Sequence, residues 1–506
     1  MLLADLVATS TAVAATRSRK AKVVALADAL RAADPEERET VVSYLGGALR
    51  QRRTGLGGRG VSELPAPAST PSLTVAEVHA AFEAVSGFAG PGSQAARAAA
   101  VADLFGRATA DEQAWLRAVV TGNLRQGALD AVTQEAVAQV VELPLADVRR
   151  AAMLAGSTVA AAGAAFVGAE ALAAIGLEVG RPVQPMLASS APDVASAVAK
   201  LSGADAKPVA IDTKLDGIRI QVHRDGDDVL VVTRSLDDIT SRLPEVVEVA
   251  RALPADRFVL DGEALSLTDE GRPAAFQDTA SRTAQDSGVV VTPFFFDVLH
   301  VDGRDLLDAS TTERLAALDA LVPEAHRVDR LVTADVAAAD EFVARTLAAG
   351  HEGVIVKDLD APYAAGRRGS AWIKVKPVHT LDLVVLGVEW GSGRRTGLLS
   401  NIHLGARDES SPTGFVMLGK TFKGMTDETL AWQTQRFTEL KIDDNGWVVT
   451  VRPEQVVEIA IDGVQRSTRY PGGVALRFAR VVRYRDDKRP EETDTIGTLR
   501  ALLATG

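Results

Sequence analysis

Apolar residues recur at helical spacing through the first part of the chain. One set with the i, i+3, i+4, i+7 spacing of a single helix face is Val23, Leu26, Ala27 and Leu30. Similar patterns lie near residues 76–86, 97–106, 113–120 and 130–142. Residues 64–72, rich in Pro and Ser, interrupt them as a surface loop, and residues 158–176, mostly Ala and Gly, predict a buried helix. We therefore predict an all-α domain over residues 1–175.

The pattern changes to strand-like alternation after Gly180-Arg181-Pro182. Residues 218–224 alternate apolar and polar, Asp225-Gly226 has the composition of a hairpin turn, and residues 229–233 return. Ser190 with Asp193 predicts a capping box, and Pro244 predicts another helix start. Further strands are predicted at 258–267, 294–301, 353–357 and 372–376. Residues 182–377 should therefore form an α+β domain.

Short strands and turns continue after Pro377. About five strands in roughly 110 residues predict a small β-barrel over residues 378–506, and an OB-fold would suit nucleic acid. Residues 391–397 are rich in Gly and Arg but lack the Gly-Lys-Ser/Thr ending of a phosphate-binding P-loop. We interpret them as a basic hairpin turn that touches DNA.

Composition narrows the possible classes. Cysteine is absent, which excludes disulfides and Cys-ligated zinc, and the seven histidines are scattered singly and interpreted as structural. The net charge of −12 counts mildly against nucleic-acid binding, although binding follows the local field. No uncharged run reaches 18 apolar residues, and the N-terminus lacks the basic region of a signal peptide. We expect a soluble, cytoplasmic, monomeric protein without membrane contacts.

The most informative motif is Lys214-Leu-Asp-Gly-Ile-Arg219, on a turn between two predicted strands. An amine there can attack phosphorus and hold a nucleotide covalently once its pKa, ordinarily near 10.4, is lowered. Alone the motif is weak, because a surface pairing of Lys214 with Asp216 explains it more simply. Here it is followed, in order, by Leu260-Asp261-Gly262-Glu263, Phe296-Asp297, Glu352-Gly353-Val354-Ile355-Val356-Lys357 and Trp372-Ile373-Lys374-Val375-Lys376. The ordered set is highly specific.

These motifs carry the charges that phosphate chemistry needs. Lys374 and Lys376 share one face of a predicted strand, where two ammonium groups repel unless an anion lies between them, and Arg368 adds a third cation. The alternative is a solvated edge strand. Glu263 and Glu352 converge on a phosphate only with a divalent cation, and the alternative is two unrelated surface acids.

Two further features have open interpretations. Phe294 and Phe296 share a face opposite to Phe295, so a ring there either stacks on a purine or belongs to a core. Residues 466–489 form the strongest basic cluster in the chain, which is either a solvated face or a phosphate clamp.

The ordered motifs resemble those of covalent nucleotidyltransferases, and most closely the archaeal and actinobacterial ATP-dependent DNA ligases. Tyr44-Leu-Gly-Gly47 and Leu124-Arg-Gln-Gly127 resemble signatures of that family's helical DNA-binding domain. The resemblance implies three parts: a helical DNA-binding domain, an ATP-grasp-like α+β nucleotidyltransferase domain and an OB-fold. It implies that nicked duplex DNA is the substrate, in repair, replication or recombination, without indicating which.

The resemblance also implies residue roles. Lys214 would be adenylated by ATP, and Asp212 would read the adenine amino group. Implied contacts to the rest of ATP are Arg219 at the ribose, Arg234 near the phosphate or nick, Glu263 at the ribose or metal, Phe296 on adenine, and Arg368, Lys374 and Lys376 at the α-phosphate. Glu263 and Glu352 would bind Mg²⁺ or Mn²⁺. The residues implied to orient pyrophosphate are Arg485, Asp487 and Lys488.

Two departures from the family pattern are visible, and two alternatives remain. The adenine-reading acid is usually Glu, and Asp212 is one methylene shorter; the usual Arg-Phe-Pro-Arg is Arg477-Phe-Ala-Arg480 here. One alternative is an RNA ligase or capping enzyme of the same superfamily, which the long helical front domain disfavours. The other is a non-catalytic nucleic-acid scaffold, which should have degraded motifs.

Overall fold

The computed structural model describes residues 1–51, 54–124, 126, 130–274, 277, 279 and 289–504. The predicted signature Leu124-Arg-Gln-Gly127 lies partly outside these residues. In the described part of the chain, no helix is long and apolar enough to cross a membrane.

The N-terminal part is helical. Its helices are α1 (Leu3–Ala15), α2 (Arg19–Ala32), α3 (Arg38–Leu45), α4 (Val75–Gly87), α5 (Ser93–Arg107), α6 (Ala110–Val120), α7 (Asp130–Val141), α8 (Leu145–Leu154), α9 (Thr158–Val167) and α10 (Ala169–Ala173). A capping box of Thr74 with Glu77 begins α4. Leu26, Ala27 and Leu30 are buried, as the periodicity predicts. The single helix predicted over 158–176 is wrong, because Gly168, at φ +146°, separates α9 from α10.

The described residues of the central part form two five-stranded sheets. Its strands are β1 (Leu187–Ser190), β2 (Val209–Lys214), β3 (Ile218–Asp225), β4 (Asp228–Thr233), β5 (Arg257–Leu265), β6 (Thr292–Val301), β7 (Arg304–Asp305), β8 (Arg330–Thr333), β9 (Gly353–Asp358) and β10 (Arg368–Val375). The first sheet has the order β1-β10-β9-β2-β8, and the second has the order β4-β3-β5-β6-β7. The sheet-rich centre confirms the coarse prediction of mixed helices and strands.

In the described part of this region, four helices accompany these sheets. They are α11 (Val194–Ser202), α12 (Pro244–Ala252), α13 (Thr311–Leu321) and α14 (Val336–Ala348). The predicted cap is corrected in one respect: Asp193 accepts a hydrogen bond from the Ser196 amide at 2.7 Å, whereas Ser190 belongs to β1. Helices α11 and α14 cover the outer face of the first sheet, where Ile211, Val356 and Phe342 are buried in one cluster.

Strand alternation leaves the other faces of the two sheets opposed. On β2, Val209 and Ile211 face the helices, so Asp212 and Lys214 must alternate to the inner face or the strand end. The rings of Phe296 on β6 and Trp372 on β10 meet edge to face at 6.0 Å across the gap. We call the space between these faces the inter-sheet cleft.

The C-terminal part is rich in strands. It contains β11 (His379–Trp390), β12 (Leu399–Arg407), β13 (Phe415–Thr421), β14 (Lys441–Asp444), β15 (Val448–Val451), β16 (Val456–Ile461), β17 (Gly463–Arg466), β18 (Val474–Arg477) and β19 (Arg480–Tyr484), with α15 (Asp427–Glu439) and α16 (Ile496–Ala504). Seven of these strands share one sheet, and β17 pairs with β18. The described strands are more numerous than the five predicted.

Ion pairs join the three parts. Arg150 on α8 pairs with Asp308 at 2.5 Å. On the other side, Arg477 pairs with Asp216 at 2.6 Å, and Lys376 pairs with Asp462 at 2.5 Å. A cavity of about 340 Å³ lies between the central and C-terminal parts, beside these two pairs.

Candidate active site

Lys214 lies at the end of β2 and faces an acid. Its ammonium forms an ion pair with Glu352, which precedes β9, and the Glu352 amide donates to the Lys214 carbonyl at 3.2 Å. The other oxygen of Glu352 lies 2.9 Å from the ammonium of Lys376. Glu352 therefore bridges two lysines that sequence reasoning placed in separate motifs.

The charges of Lys214, Lys374 and Lys376 favour the binding of an anion. Burial alone would raise the pKa of Glu352, but Lys214 and Lys376 outweigh it and lower that pKa. The pKa of Lys374 is lowered, first by burial and then by Lys376 and Lys214. Among the described residues Lys374 has no ion-pair partner, so three neighbouring ammonium groups are not fully neutralised by protein acids.

Glu263 on β5 has the opposite shift. Burial raises its pKa to about 7, and the nearby Lys214 and Arg219 only partly oppose this. Its carboxyl accepts a hydrogen bond from the Gly217 amide at 3.1 Å. A glycine is required at position 217 because a Cβ there would collide with the carbonyl oxygen of Ala264. The glycine allows the turn before β3 to approach β5 closely.

Arg219 on β3 is held by several acceptors. Its guanidinium contacts Asp261 at 2.7 and 3.1 Å, and the Met186 carbonyl at 2.8 Å. Asp261 also accepts a hydrogen bond from the Tyr363 hydroxyl at 2.6 Å. Burial works against the charge of Arg219, but Asp261 raises the pKa of the guanidinium further. The pair with Asp261 fixes Arg219 5.5 Å from the centre of the Phe296 ring.

Phe296 is half-buried in the inter-sheet cleft, and Phe295 is fully buried on the opposite face, as alternation predicts. The ammonium of Lys357 lies 5.1 Å from the centre of the Phe296 ring and 4.5 Å from that of Trp372. It also donates to the Phe296 carbonyl at 2.9 Å. The aromatic slot of the cleft therefore already contains a cation.

Asp212 is buried on β2 with 1% of its surface exposed. One carboxylate oxygen lies 2.9 Å from Nε of Arg330, and the other lies 2.6 Å from Nζ of Lys357. The register of β2 with β8 pairs Asp212 with Arg330 directly. The shorter acid is therefore fully counter-charged on the cleft side of the sheet.

Several predicted residues lie away from this group. Arg234 follows β4 and Arg368 begins β10, and both are exposed. The predicted pyrophosphate-orienting residues lie on the C-terminal part in a cluster of their own: Arg485 contacts Asp382 at 3.2 Å and Asp487 at 2.7 Å, and Lys488 contacts Asp382 at 2.5 Å. In this arrangement both Arg485 and Lys488 are paired with Asp382.

Sequence reasoning missed several members of the site. Asp261 and Lys357 lie within the motifs quoted above but were not assigned roles. A charged residue within a predicted strand was the signal that could have identified them. Arg330, Tyr363 and Asp462 lie outside every motif and come close only through the fold.

A strand-end lysine in a cleft, beside two acids and ammonium groups that the acids do not fully neutralise, is typical of an enzyme that handles phosphorylated groups. The chain matches three family models: "ATP dependent DNA ligase domain" over residues 185–376, "ATP dependent DNA ligase C terminal region" over 395–488, and "DNA ligase N terminus" over 59–138. The chain therefore belongs to the ATP-dependent DNA ligase family, enzymes that seal nicks in DNA.

Relatives match along the full length. A "Probable DNA ligase" of Nocardioides sp. is 70% identical over 99% of both chains. Another, of Kineococcus radiotolerans, is 69% identical over 99% of this chain and 100% of its own. The solved structure "Pmar-Lig_PreS3" has a TM-score of 0.56 at 18% identity, covers 95% of this chain and 99% of its own, and shows similarity of fold alone.

Proposed function

We propose that Lys214 is the nucleophile of nick sealing. Once its ammonium has lost a proton to solvent, the amine attacks the α-phosphorus of ATP. A P–N bond forms as the P–O bond to the leaving group breaks, pyrophosphate departs, and the nitrogen releases a second proton to solvent. AMP then passes from Lys214 to the 5′-phosphate of a nick. The 3′-hydroxyl attacks that phosphate, which closes the strand and releases AMP. The observation that carries this proposal is the position of Lys214 among Glu352, Lys374 and Lys376.

The surrounding charges suit this chemistry. Phosphoryl transfer depends on positioning and on neutralising charge, so Lys374, Lys376 and Arg368 would hold the α-phosphate. Phe296 would stack on the adenine, Asp212 would accept from its amino group, and Arg219 would lie at the ribose. Arg234, exposed after β4, would lie near the phosphate or the nick. The support is that Asp212, Arg219 and Phe296 all face the inter-sheet cleft.

The donor set also fits a divalent cation. Glu263 and Glu352 offer carboxylate oxygens, the ligands that Mg²⁺ or Mn²⁺ takes. The raised pKa of Glu263, caused by burial, marks a carboxyl whose ionised form lacks full compensation, and a bound cation would supply it. Such a cation would neutralise phosphate charge, while Glu352 in the protein alone keeps Lys214 as its ion-pair partner.

We further propose three domains: a helical DNA-binding domain (residues 1–175), an ATP-grasp-like nucleotidyltransferase domain (182–377) and an OB-fold (378–506). The seven-stranded C-terminal sheet supports the last of these. Arg485, Asp487 and Lys488 would orient pyrophosphate only after the C-terminal domain turns about residues 378–382. Nicked duplex DNA would be encircled through phosphate contacts with little sequence preference.

The test is labelling with α-³²P ATP and Mg²⁺, followed by denaturing electrophoresis and peptide mapping. We expect an acid-labile AMP on Lys214 and none on a Lys214→Ala variant. Lys207→Ala, which removes an exposed lysine paired with Asp360 at 3.0 Å, is the matched control and should label like the parent. A Lys214→Ala protein that still carries AMP contradicts the proposal. Nicked DNA and nicked RNA substrates, and ATP and GTP, separate the related enzyme classes.

A further inference from the structure

Arg330 is a charged residue outside all of the motifs, yet it contacts Asp212, which lies two residues before Lys214 in the chain. It begins β8, the edge strand beside β2, and its side chain is 11% exposed. Its Nε contacts Asp212 at 2.9 Å, and its Nη1 lies 3.3 Å from Asp319 on α13. The Arg330 guanidinium is thus held by two acids, Asp212 at its Nε and Asp319 at its Nη1.

The contact between Arg330 and Asp212 determines which groups Asp212 can recognise. An ionised carboxylate only accepts hydrogen bonds, whereas a protonated one also donates. A buried carboxylate is costly without counter-charges, so its position depends on them. Among the described residues the Asp212 oxygen beside Lys357 makes an ion pair but no hydrogen bond of acceptable geometry. That buried oxygen has acceptor capacity for a donor in the cleft.

An acceptor at this place distinguishes purines at their 6-position. Adenine carries an amino group there, which donates, while hypoxanthine and guanine carry an oxygen, which would face the carboxylate as a second acceptor. A site that hydrogen-bonds one group rejects the analogue without it, because its own polar atom is left unpaired.

We propose that Arg330 is a positioning residue for base selection: it holds the Asp212 carboxylate directed into the cleft, so that the enzyme takes a 6-amino purine and refuses a 6-oxo purine. This rests on the proposed roles of Lys214 and Asp212. Lys357 alone does not fulfil this role, since it is shared with the Phe296 carbonyl and two aromatic rings.

The experiment measures self-labelling of the full chain with α-labelled ATP and α-labelled ITP, which differ at the 6-position and N1. The KM and rate constant are obtained for each nucleotide. Arg330→Met removes the charge and keeps the apolar stem, and Arg330→Lys keeps the charge but not the Nε contact. The matched control is Arg327→Met, because Arg327 also pairs with Asp319 but does not touch Asp212.

We expect Arg330→Met to lower the ATP-to-ITP preference about tenfold or more, mainly through the KM for ATP, as for loss of a charge-assisted hydrogen bond. Arg330→Lys should lower it about threefold, and Arg327→Met should leave it unchanged within about twofold. Thermal unfolding identifies any variant that fails to fold. If Arg330→Met fails to fold, the ATP-to-ITP preference of Arg330→Lys tests the inference.

Folded Arg330 variants whose preference stays within about twofold of the parent overturn the inference. So does an equal loss in Arg327→Met, which would assign the effect to Asp319. Failure of the parent to label with ATP is a different result, because it contradicts the proposed function itself and not the role of Arg330.

Discussion

At the scale of single residues, Glu263 shows how burial decides chemistry. A carboxyl with an ordinary pKa near 4.5 has one near 7 here, because burial penalises its charge more than Lys214 and Arg219 compensate. Glu352, with two direct lysine contacts, has its pKa lowered although burial opposes this. The same residue type therefore has opposite protonation tendencies within one cleft.

Glu263→Gln should change how stability depends on pH. Between about 4.5 and about 7 the folded protein keeps this proton while the unfolded chain releases it, so this group's contribution to stability falls as pH rises through that window. The parent should lose roughly 1–3 kcal/mol more than the variant between about pH 5 and about pH 8. Urea unfolding at both pH values measures this, with the exposed Glu428→Gln as control. Parallel losses in parent and Glu263→Gln would show that the shift is absent.

At the scale of elements, a buried ion pair anchors α13 to β6. Arg314 and Asp297 are both 0% exposed and contact each other at 2.8 Å. Arg314 also donates to the carbonyl of Ala309 at 2.6 Å and to that of Ala361 at 3.1 Å. The acid of the Phe296-Asp297 motif therefore fixes the strand that carries the ring, which makes its role structural.

Arg314→Met should destabilise the protein by about 3–5 kcal/mol, because it leaves Asp297 buried without its counter-charge. Arg304→Met, on the neighbouring β7, breaks an exposed pair with Glu313 and should cost less than about 1 kcal/mol. Denaturant unfolding of the two variants gives the comparison. Similar costs for both would refute the anchoring role of the buried pair.

At the scale of the whole molecule, two ion pairs hold the C-terminal part against the site. Asp462 shares Lys376 with Glu352, and Arg477 contacts Asp216 within the Lys214 motif. The same arrangement leaves Arg485 and Lys488 bound to Asp382. Among the described residues, no hydrogen bond or ion pair joins the lysine group to the predicted pyrophosphate-orienting residues in this conformation.

Asp462→Asn should loosen this docking, because the amide cannot neutralise Lys376. Small-angle scattering should show a larger radius of gyration, and trypsin should cleave faster after Arg477, whose pair with Asp216 belongs to the same docking surface. Asp443→Asn, at an exposed site on β14, is the control and should change neither. An unchanged radius in Asp462→Asn would mean that other contacts carry the docking.

The agreement between sequence and structure follows the range of the interactions. Helix α2 and strands β3 and β4 were predicted because periodicity and turn residues are local. The break at Gly168 was missed, since its composition also suits a continuous helix. The need for a glycine at position 217 comes from the tertiary structure, because the obstructing carbonyl of Ala264 belongs to a strand distant in sequence.

The sequence by itself determined which side chains share a face and which family the chain belongs to, since both depend on residue order. Lys214 and the motifs that follow it can be recognised from the order of residues alone. Only the tertiary structure decided which charges meet. Arg330 reaches Asp212 across a strand pairing, and Asp462 reaches Lys376 across two parts of the chain. Electrostatic interactions act through space and burial, so pKa shifts and counter-charges are properties of the folded chain.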